Sequence, residues 1–365
     1  MRICHLTTVH PRNDVRVLHK QCVFAAKAGI DVVLLVADGQ GNDVFEQVKI
    51  LDIGNYRLSR LKRLTKAKRE IFKLALENDA DIYQLHDPEL ISVGLKLKKL
   101  GKKVVFDSHE DVPKQMLYKT WLGPMAIRKL IAKRYNAYEK KAVAKFDGLI
   151  SVIDEITNKF NCAHQLTLKN YPITNVYAKH VIPFSEKKKQ FVYVGSLTFQ
   201  RGIKACIEAM RFFPEEYRLI LIGSFPSQQF FEDCQALKEW ERVDYLGFLS
   251  MEKVAPIIGE SLAGLSVLHA EANYLTSLPT KGFEYMAAGT PVVLSDFEYW
   301  HPYFKNCGIF IEPGDPQAIA KGLKSVISEG LYEDLQKQCI AAAKKFSWEA
   351  EAEKMVAFYQ KILKS

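Results

Sequence analysis

This chain of 365 residues predicts two α/β domains, each a doubly wound and mostly parallel sheet with helices on both faces. Three observations carry that expectation. Short β-branched runs alternate with longer helical stretches, as parallel sheets with helical crossovers require. The alternation runs once, breaks at a polar stretch with prolines, and starts again. An apolar content of 48% over 365 residues suffices for two ordinary cores.

In the first domain, residues 1–172, strands are expected at 2–8, 31–37, 48–53, 82–86, 103–107, 148–152 and 165–169. Helical stretches at 14–28, 61–78, 88–100 and 125–146 lie between them. The break falls at 169–186, where Asn170-Tyr171-Pro172 and Pro183 precede the charged run EKKK at 186–189. In the second domain, residues 186–346, strands are expected at 190–197, 218–224, 243–247, 263–269, 291–295 and 308–313. The last helix, about 347–365, is amphipathic and either caps the second domain or crosses back to the first.

Apolar runs such as VVLLVA at 32–37 fall far short of the roughly 20 residues of a membrane span. The opening MRICHLTTV predicts a strand and no leader, so a cytoplasmic protein is expected. Seven scattered cysteines without CxxC spacing predict small buried residues, not metal ligands or disulfides.

Charge is uneven. Residues 1–170 hold 30 Lys and Arg against 19 Asp and Glu, whereas the remainder holds 21 against 23. Basic residues cluster from Arg57 to Arg69 and from Arg128 to Lys145. Solvated helix faces are the plain reading. The sharper one is attraction to an anionic membrane, with peripheral association on its inner face. No basic motif interleaved with aromatics points to nucleic acid.

In open parallel sheets, ligands bind beyond the carboxyl ends of the strands, and two facing sheets make a cleft between domains. Asp79 and Asp81 resemble a metal-binding DxD pair but precede the strand at 82–86, on the wrong side. No other carboxylate pair has good ligand spacing on the productive side, so chemistry without a metal or cofactor is expected. After the first strand, Asp14 is placed to cap a helix, with His10 before it. Arg16 and Lys20, at i and i+4, share a face as surface cations or as contacts to phosphate or an anionic acceptor. Two further strands end in histidine–carboxylate pairs, His86-Asp87 and His109-Glu110.

In the second domain VGSLTFQRG ends a strand at Gly195, and Arg201-Gly202 opens a helix. Backbone amides, a helix start and a forked cation can there meet a diphosphate. In SLPTKGFEYMAAGTPVV at 277–293, Pro279 starts a helix that Gly289 ends. Lys281 and Glu284 share its face, one suited to phosphate and the other to the two hydroxyls of a ribose.

These segments carry a likeness. The chain resembles retaining glycosyltransferase family 4, of the GT-B fold, over essentially its whole length. PTKGFEYMAAGTPVV is the most specific match, and VGSLTFQRG, HPRNDVRVLHKQC, HDPEL, DSHED and the closing FSWEAEAEKMVAFYQKIL support it. The matched branch is common in bacterial surface-polysaccharide pathways. The resemblance implies a nucleotide diphosphate sugar as donor and a saccharide or lipid-linked acceptor. It implies that Glu284 holds the donor ribose and that Thr276 stands where an earlier glutamate is usual; Asn273, Ser277 or the amides of Ser277 and Leu278 are the candidate substitutes. Ser196 stands where a phosphate-binding arginine is usual, and Arg201 keeps the charge of the lysine that accompanies it. His109 matches the histidine that contacts the donor sugar, and Gly247-Phe248-Leu249 lies where the base is held through the backbone. The last helix is implied to return to the first domain. An epimerase of the same fold and a non-catalytic nucleotide-sugar-binding partner protein are the rival readings.

Overall fold

The structure is a computed structural model that describes residues 1–275, 277–328 and 330–365, the side chains of Ala272 and Asn273 excepted. It divides into two compact units, Met1–Asn170 with Trp348–Ser365, and Tyr171–Ser347.

The first unit is built on eight strands: β1 Arg2–Leu6, β2 Asp31–Val36, β3 Asp43–Phe45, β4 Val48–Asp52, β5 Ile82–Leu85, β6 Lys103–Ser108, β7 Gly148–Ser151 and β8 His164–Thr167. Their order is β3-β4-β2-β1-β5-β6-β7-β8. All neighbours are parallel except β3 and β4. The central strands bury every side chain or nearly so, as strands covered on both faces must. β3 was not expected from the sequence. Its three residues are exposed, and Glu46 and Gln47 turn it into β4 with φ of 44° and 69°. Neither the apolar alternation nor the glycine or asparagine that usually marks such a turn is present.

The helix Trp348–Lys364 belongs to this unit. Trp348 Nε1 donates to the Lys20 carbonyl at 3.1 Å, and the Tyr359 hydroxyl donates to Gln84 Oε1 at 2.6 Å. Gly148 makes the approach possible, because a Cβ there would stand 2.6 Å from Ile362 Cδ1 and 2.9 Å from Phe358 Cζ.

The second unit has six strands: β9 Lys188–Val194, β10 Arg218–Ile222, β11 Val243–Gly247, β12 Ser261–Ser266, β13 Val292–Ser295 and β14 Gly308–Ile311. All are parallel, in the order β11-β10-β9-β12-β13-β14. Period-two alternation divides its core between the two faces of the sheet. Phe191, Tyr193, Leu219 and Leu221 pack on one side, and Val192, Ile220, Ile222 and Leu294 on the other. Strand order reverses between β1 and β5 in the first sheet and between β9 and β12 in the second. The carboxyl ends at those points are where ligands gather in such sheets.

Asp79 and Asp81 sit at the opposite, amino end of the first sheet. Asp81 accepts from the Arg2 amide and Asp79 pairs with Lys102. Six of the seven cysteines are buried, Cys162 partly so, and all are free.

Candidate functional site

On the first unit, three loops at the carboxyl ends of β1, β5 and β6 converge on one buried carboxylate, Asp107. Asp107 Oδ1 accepts from Arg16 Nη2 at 2.9 Å, and Oδ2 accepts from His109 Nε2 at 2.8 Å and from Gln21 Nε2. His86 Nδ1 lies 3.2 Å from the same Oδ2 but without a well-directed hydrogen bond, while its Nε2 meets His5 Nδ1 at 2.9 Å. The network continues inward, since Gln21 Oε1 accepts from Gln84, which in turn holds Tyr359.

The helix after β1 explains how Arg16 and Gln21 both arrive there. Val15–Cys22 is wound as a π-helix, in which the i to i+5 repeat brings residues five apart onto one side. The sequence predicts a helix here, with Arg16 and Lys20 sharing a face either as surface cations or as contacts to phosphate or an anionic acceptor. Both are instead buried, at 7% and 5% exposure. Arg16 is neutralised by Asp107, and Lys20 Nζ donates to Asn170 Oδ1 at 2.7 Å. The cap was read correctly, as Asp14 Oδ1 accepts from the amides of Arg16 and Val17 at 2.9 Å each.

The histidine–carboxylate pairs differ from those read along the chain. His109 pairs with Asp107, and Glu110 is exposed and accepts from Gln115. Neighbours in extended chain point to opposite sides and residues two apart share a side, so the carboxylate two positions back is the partner. His86 likewise faces Asp107. Asp87 is taken up by the loop after β1, accepting from Thr7, Thr8 and the Val9 amide, with His10 Nε2 at 3.5 Å. The His10 and His109 rings stand 5.0 Å apart, and His10 Nδ1 lies 3.4 Å from Asp14 Oδ2. His10, Asp14, Arg16, His86 and His109 are thus brought together, and Glu110 stands aside.

Burial lowers His5 and His86 below the usual imidazole value, so both are neutral near pH 7. Burial also opposes charge on His10, but Asp14 and Asp87 outweigh it and hold His10 above that value. Burial raises the Asp14 carboxyl, yet His10 and the Val17 amide bring it down to about 2. Asp107 is held well below the carboxylate range against its own burial, by Arg16 and then His109. Ligand atoms of His86, Asp107 and His109 lie within 4.8 Å of one another, close enough for a metal ion. The Asp107 charge is already matched by a guanidinium at 2.9 Å, against which a further cation would have to compete.

On the second unit the carboxyl end of β9 carries cations. Gly195 has φ of 128° and Gly223 φ of 140°, and a Cβ on Gly223 would lie 1.8 Å from the Gly195 carbonyl oxygen. Only glycines let these two strand ends close on each other. The chain then makes a short turn, Phe199–Arg201, and Gly202 at φ 69° opens the helix Ile203–Ala209. A Cβ on Gly202 would stand 2.1 Å from the Val267 carbonyl, so the helix start is pressed against the end of β12.

Two cations converge here. The point where a Gly195 Cβ would sit lies 3.3 Å from Lys281 Nζ and 3.5 Å from Arg201 Nη1. Lys281 projects from the helix Thr280–Ala287, is 7% exposed, and donates to the Tyr193 hydroxyl at 2.6 Å above that ring. Arg201 stands beside the hydroxyls of Tyr193 and Tyr274. Burial, and then the neighbouring Arg201, depress the Lys281 ammonium well below the usual lysine value. Two basic groups beside neutral hydroxyls favour an anion there, which would stabilise their protonated forms.

Glu284 is half-buried and hydrogen-bonded to Tyr177. Ser196 offers its carbonyl to Tyr193, and Ser277 offers its own to Trp300 Nε1 at 2.6 Å. Leu278 is half-buried, and Gly247, at φ 65°, leads to Phe248, which is 82% exposed. The readings on Asn273 and Thr276 lie outside the described residues. Sequence reasoning missed Tyr193, which accepts from Lys281 beside Arg201, and Phe199 stacked on His269 at 4.9 Å. Tyr193 stands two residues before Gly195, where a strand tyrosine looks like ordinary core.

Comparison with known proteins bears on the fold and on the second unit. Residues 178–346 match the family described as Glycosyl transferases group 1. An uncharacterised glycosyltransferase of Methanocaldococcus jannaschii is 29% identical over 186 residues, 49% of this chain and 46% of the relative. The match thus spans less than half of that relative's length. Sucrose-phosphate synthase from Thermosynechococcus elongatus superposes with a TM-score of 0.72 at 17% identity, covering 99% of this chain and 98% of the other. Anabaena HepE, solved with UDP and glucose, gives 0.70 at 13% identity, covering 99% and 100%. A glycosyltransferase from Rickettsia africae gives 0.73 at 12%, covering 100% and 99%.

The fold is GT-B. The family match covers most of the second unit, and the structural neighbours share the fold of both units.

Proposed function

We propose that the protein is a retaining, metal-independent glycosyltransferase that moves a hexosyl group from a nucleotide diphosphate sugar to a saccharide or lipid-linked acceptor in surface-polysaccharide synthesis. The observation behind it is the convergence of Lys281 and Arg201 on Gly195 at the carboxyl end of β9. A sugar leaving a diphosphate deposits negative charge on it, and fixed donors aimed at that charge lower the barrier. In this reading Arg201 and Lys281 hold the phosphates, Glu284 accepts the ribose hydroxyls, and the base lies along Gly247 to Leu249. On the first unit His109, oriented by Asp107, meets the transferred sugar. The bond from the anomeric carbon to the phosphate oxygen breaks, and its electron pair leaves with the nucleoside diphosphate. The acceptor oxygen bonds the same carbon on the same face and gives its proton to the departing phosphate.

UDP, which Anabaena HepE binds, is the first nucleotide to try. A thermal-shift screen of nucleotide sugars tests the reading, because a bound donor stabilises the folded state in proportion to its affinity. Glu284→Ala should abolish the shift and the transfer, and Arg201→Ala should reduce both. Unchanged donor affinity and turnover in either variant contradicts the assignment, and loss of transfer on chelation contradicts metal independence. Product analysis with donor alone separates transfer from epimerisation.

A further inference from the structure

Two basic segments of the first unit that are far apart in sequence meet in space, and their exposed side chains are not those of an ordinary solvated surface. Residues 53–69 hold seven Lys or Arg and residues 112–138 hold six, and neither segment contains an Asp or Glu. The segments touch where the Arg60 guanidinium lies over the Trp121 ring, 4.5 Å from its centroid. Both leave the carboxyl end of the first sheet, one after β4 and the other after β6, the end that bears His10, His86 and His109.

Large apolar side chains stand out among these cations. Leu58 is 88% exposed, Leu61 75%, Trp121 61% and Leu130 50%. Along the helix Met125–Val143, Ile127 and Leu130 share the outer face with Lys133 and Arg134. Scattered exposed leucines need no explanation, but several large exposed apolar side chains on two linked segments that carry one charge sign do. The patch is also anchored from below. Arg63 pairs with Glu89 at 3.0 Å, and Arg128 Nη1 donates to the Leu117 carbonyl, tying the 117–124 loop to its helix.

We infer that this patch docks the protein on an anionic phospholipid bilayer, with Leu58, Leu61 and Trp121 entering the headgroup region and the surrounding lysines and arginines meeting lipid phosphates. Charge selects the occupant. A second copy would set the same cations against themselves in a two-fold interface. A nucleic acid would satisfy the cations but leave the leucines in water, and the Trp121 face it would stack on is covered by Arg60. A bilayer with anionic headgroups satisfies both, apolar groups below and cations at the phosphate level. The inference rests on the proposed transfer reading only in that a lipid-linked acceptor would be met at this surface.

Vesicle co-sedimentation of the full chain tests it, with phosphatidylcholine alone and phosphatidylcholine mixed with phosphatidylglycerol. Wild type should bind the mixed vesicles only, and the tryptophan emission should shift to the blue, a shift that Trp121→Phe removes. Replacing Lys62, Lys129 and Lys133 with Gln should weaken binding by about tenfold or more. Leu58→Ser with Leu61→Ser and Trp121→Ser should remove the fraction that survives raised salt. Lys188→Gln with Lys337→Gln, on the second unit, should change nothing. The docking inference is overturned if wild type ignores phosphatidylglycerol, if both patch variants bind like wild type, or if RNA binds equally well and the serine variant leaves that binding intact. Donor-induced thermal shifts, measured on the same variants, separate the two claims. Shifts without vesicle binding sink the docking surface alone, and vesicle binding without any shift sinks the transfer reading alone.

Discussion

Arg16 in the first unit and Lys281 in the second are held in opposite ways. In the first unit Arg16 lies 2.9 Å from Asp107, which also holds His109, so charge is balanced within the protein. In the second unit Lys281 rests on the hydroxyl of Tyr193 beside Arg201, and is driven well below its usual value by burial and by Arg201. A balanced network fixes the position of its members. Two basic groups beside neutral hydroxyls are costly to keep charged until an anion arrives. The first rim is therefore built to orient His109, and the second to attract charge.

The comparison breaks most visibly through stability. Asp107→Asn should cost about 3–5 kcal/mol in urea unfolding, because Arg16 is then buried without its counter-charge. Lys281→Met should cost little or raise the melting temperature, since it removes a depressed buried charge. Equal losses in the two variants would show that the rims do not differ in kind.

Turnover should show the reverse. Arg201→Ala is expected to lower kcat by about 10²–10³-fold, the usual effect of deleting one fixed donor to developing charge. Single-turnover assays with saturating donor measure it.

A smaller effect sharpens the claim for Lys281. Its folded pKa is depressed, so between that value and 10.5 the unfolded chain holds the extra proton, and stability rises with pH across that window. A bound diphosphate should restore the charge. Titration calorimetry in buffers of different ionisation enthalpy should then show proton uptake on binding nucleoside diphosphate, and Lys281→Met should abolish it.

The smallest effect concerns the helix start in the first unit. Asp14→Ala should cost about 1 kcal/mol through loss of the cap. The folded Asp14 value of about 2 lies below the ordinary 3.8, so its contribution is full above 3.8 and is lost as pH falls through about 2. His10, raised by its carboxylate neighbours, has the opposite sign, and its contribution is full below 6.5 and fades as pH rises through the folded value. Acid and alkaline unfolding of Asp14→Ala against wild type should show both limits.

Much of this was legible along the chain. Short β-branched runs marked most of the strands, and the turn chemistry of Gly195, Gly202 and Gly289 marked loops and helix ends. Position after a strand singled out His10, His86, His109 and Arg201, and a shared face near a helix start singled out Lys281 with Glu284. Those properties belong to a few neighbouring residues and repeat with the geometry of a strand or helix, so sequence determines them by itself. What each side chain touches was decided by tertiary structure alone. The π-helix that carries Arg16 and Gln21 to Asp107, the switch of the His109 partner from Glu110 to Asp107, the edge strand β3, the seat of Lys281 on Tyr193 and the meeting of Arg60 with Trp121 all depend on segments distant in sequence. Contact energies between such segments exist only after the chain has closed on itself, and no local pattern records them.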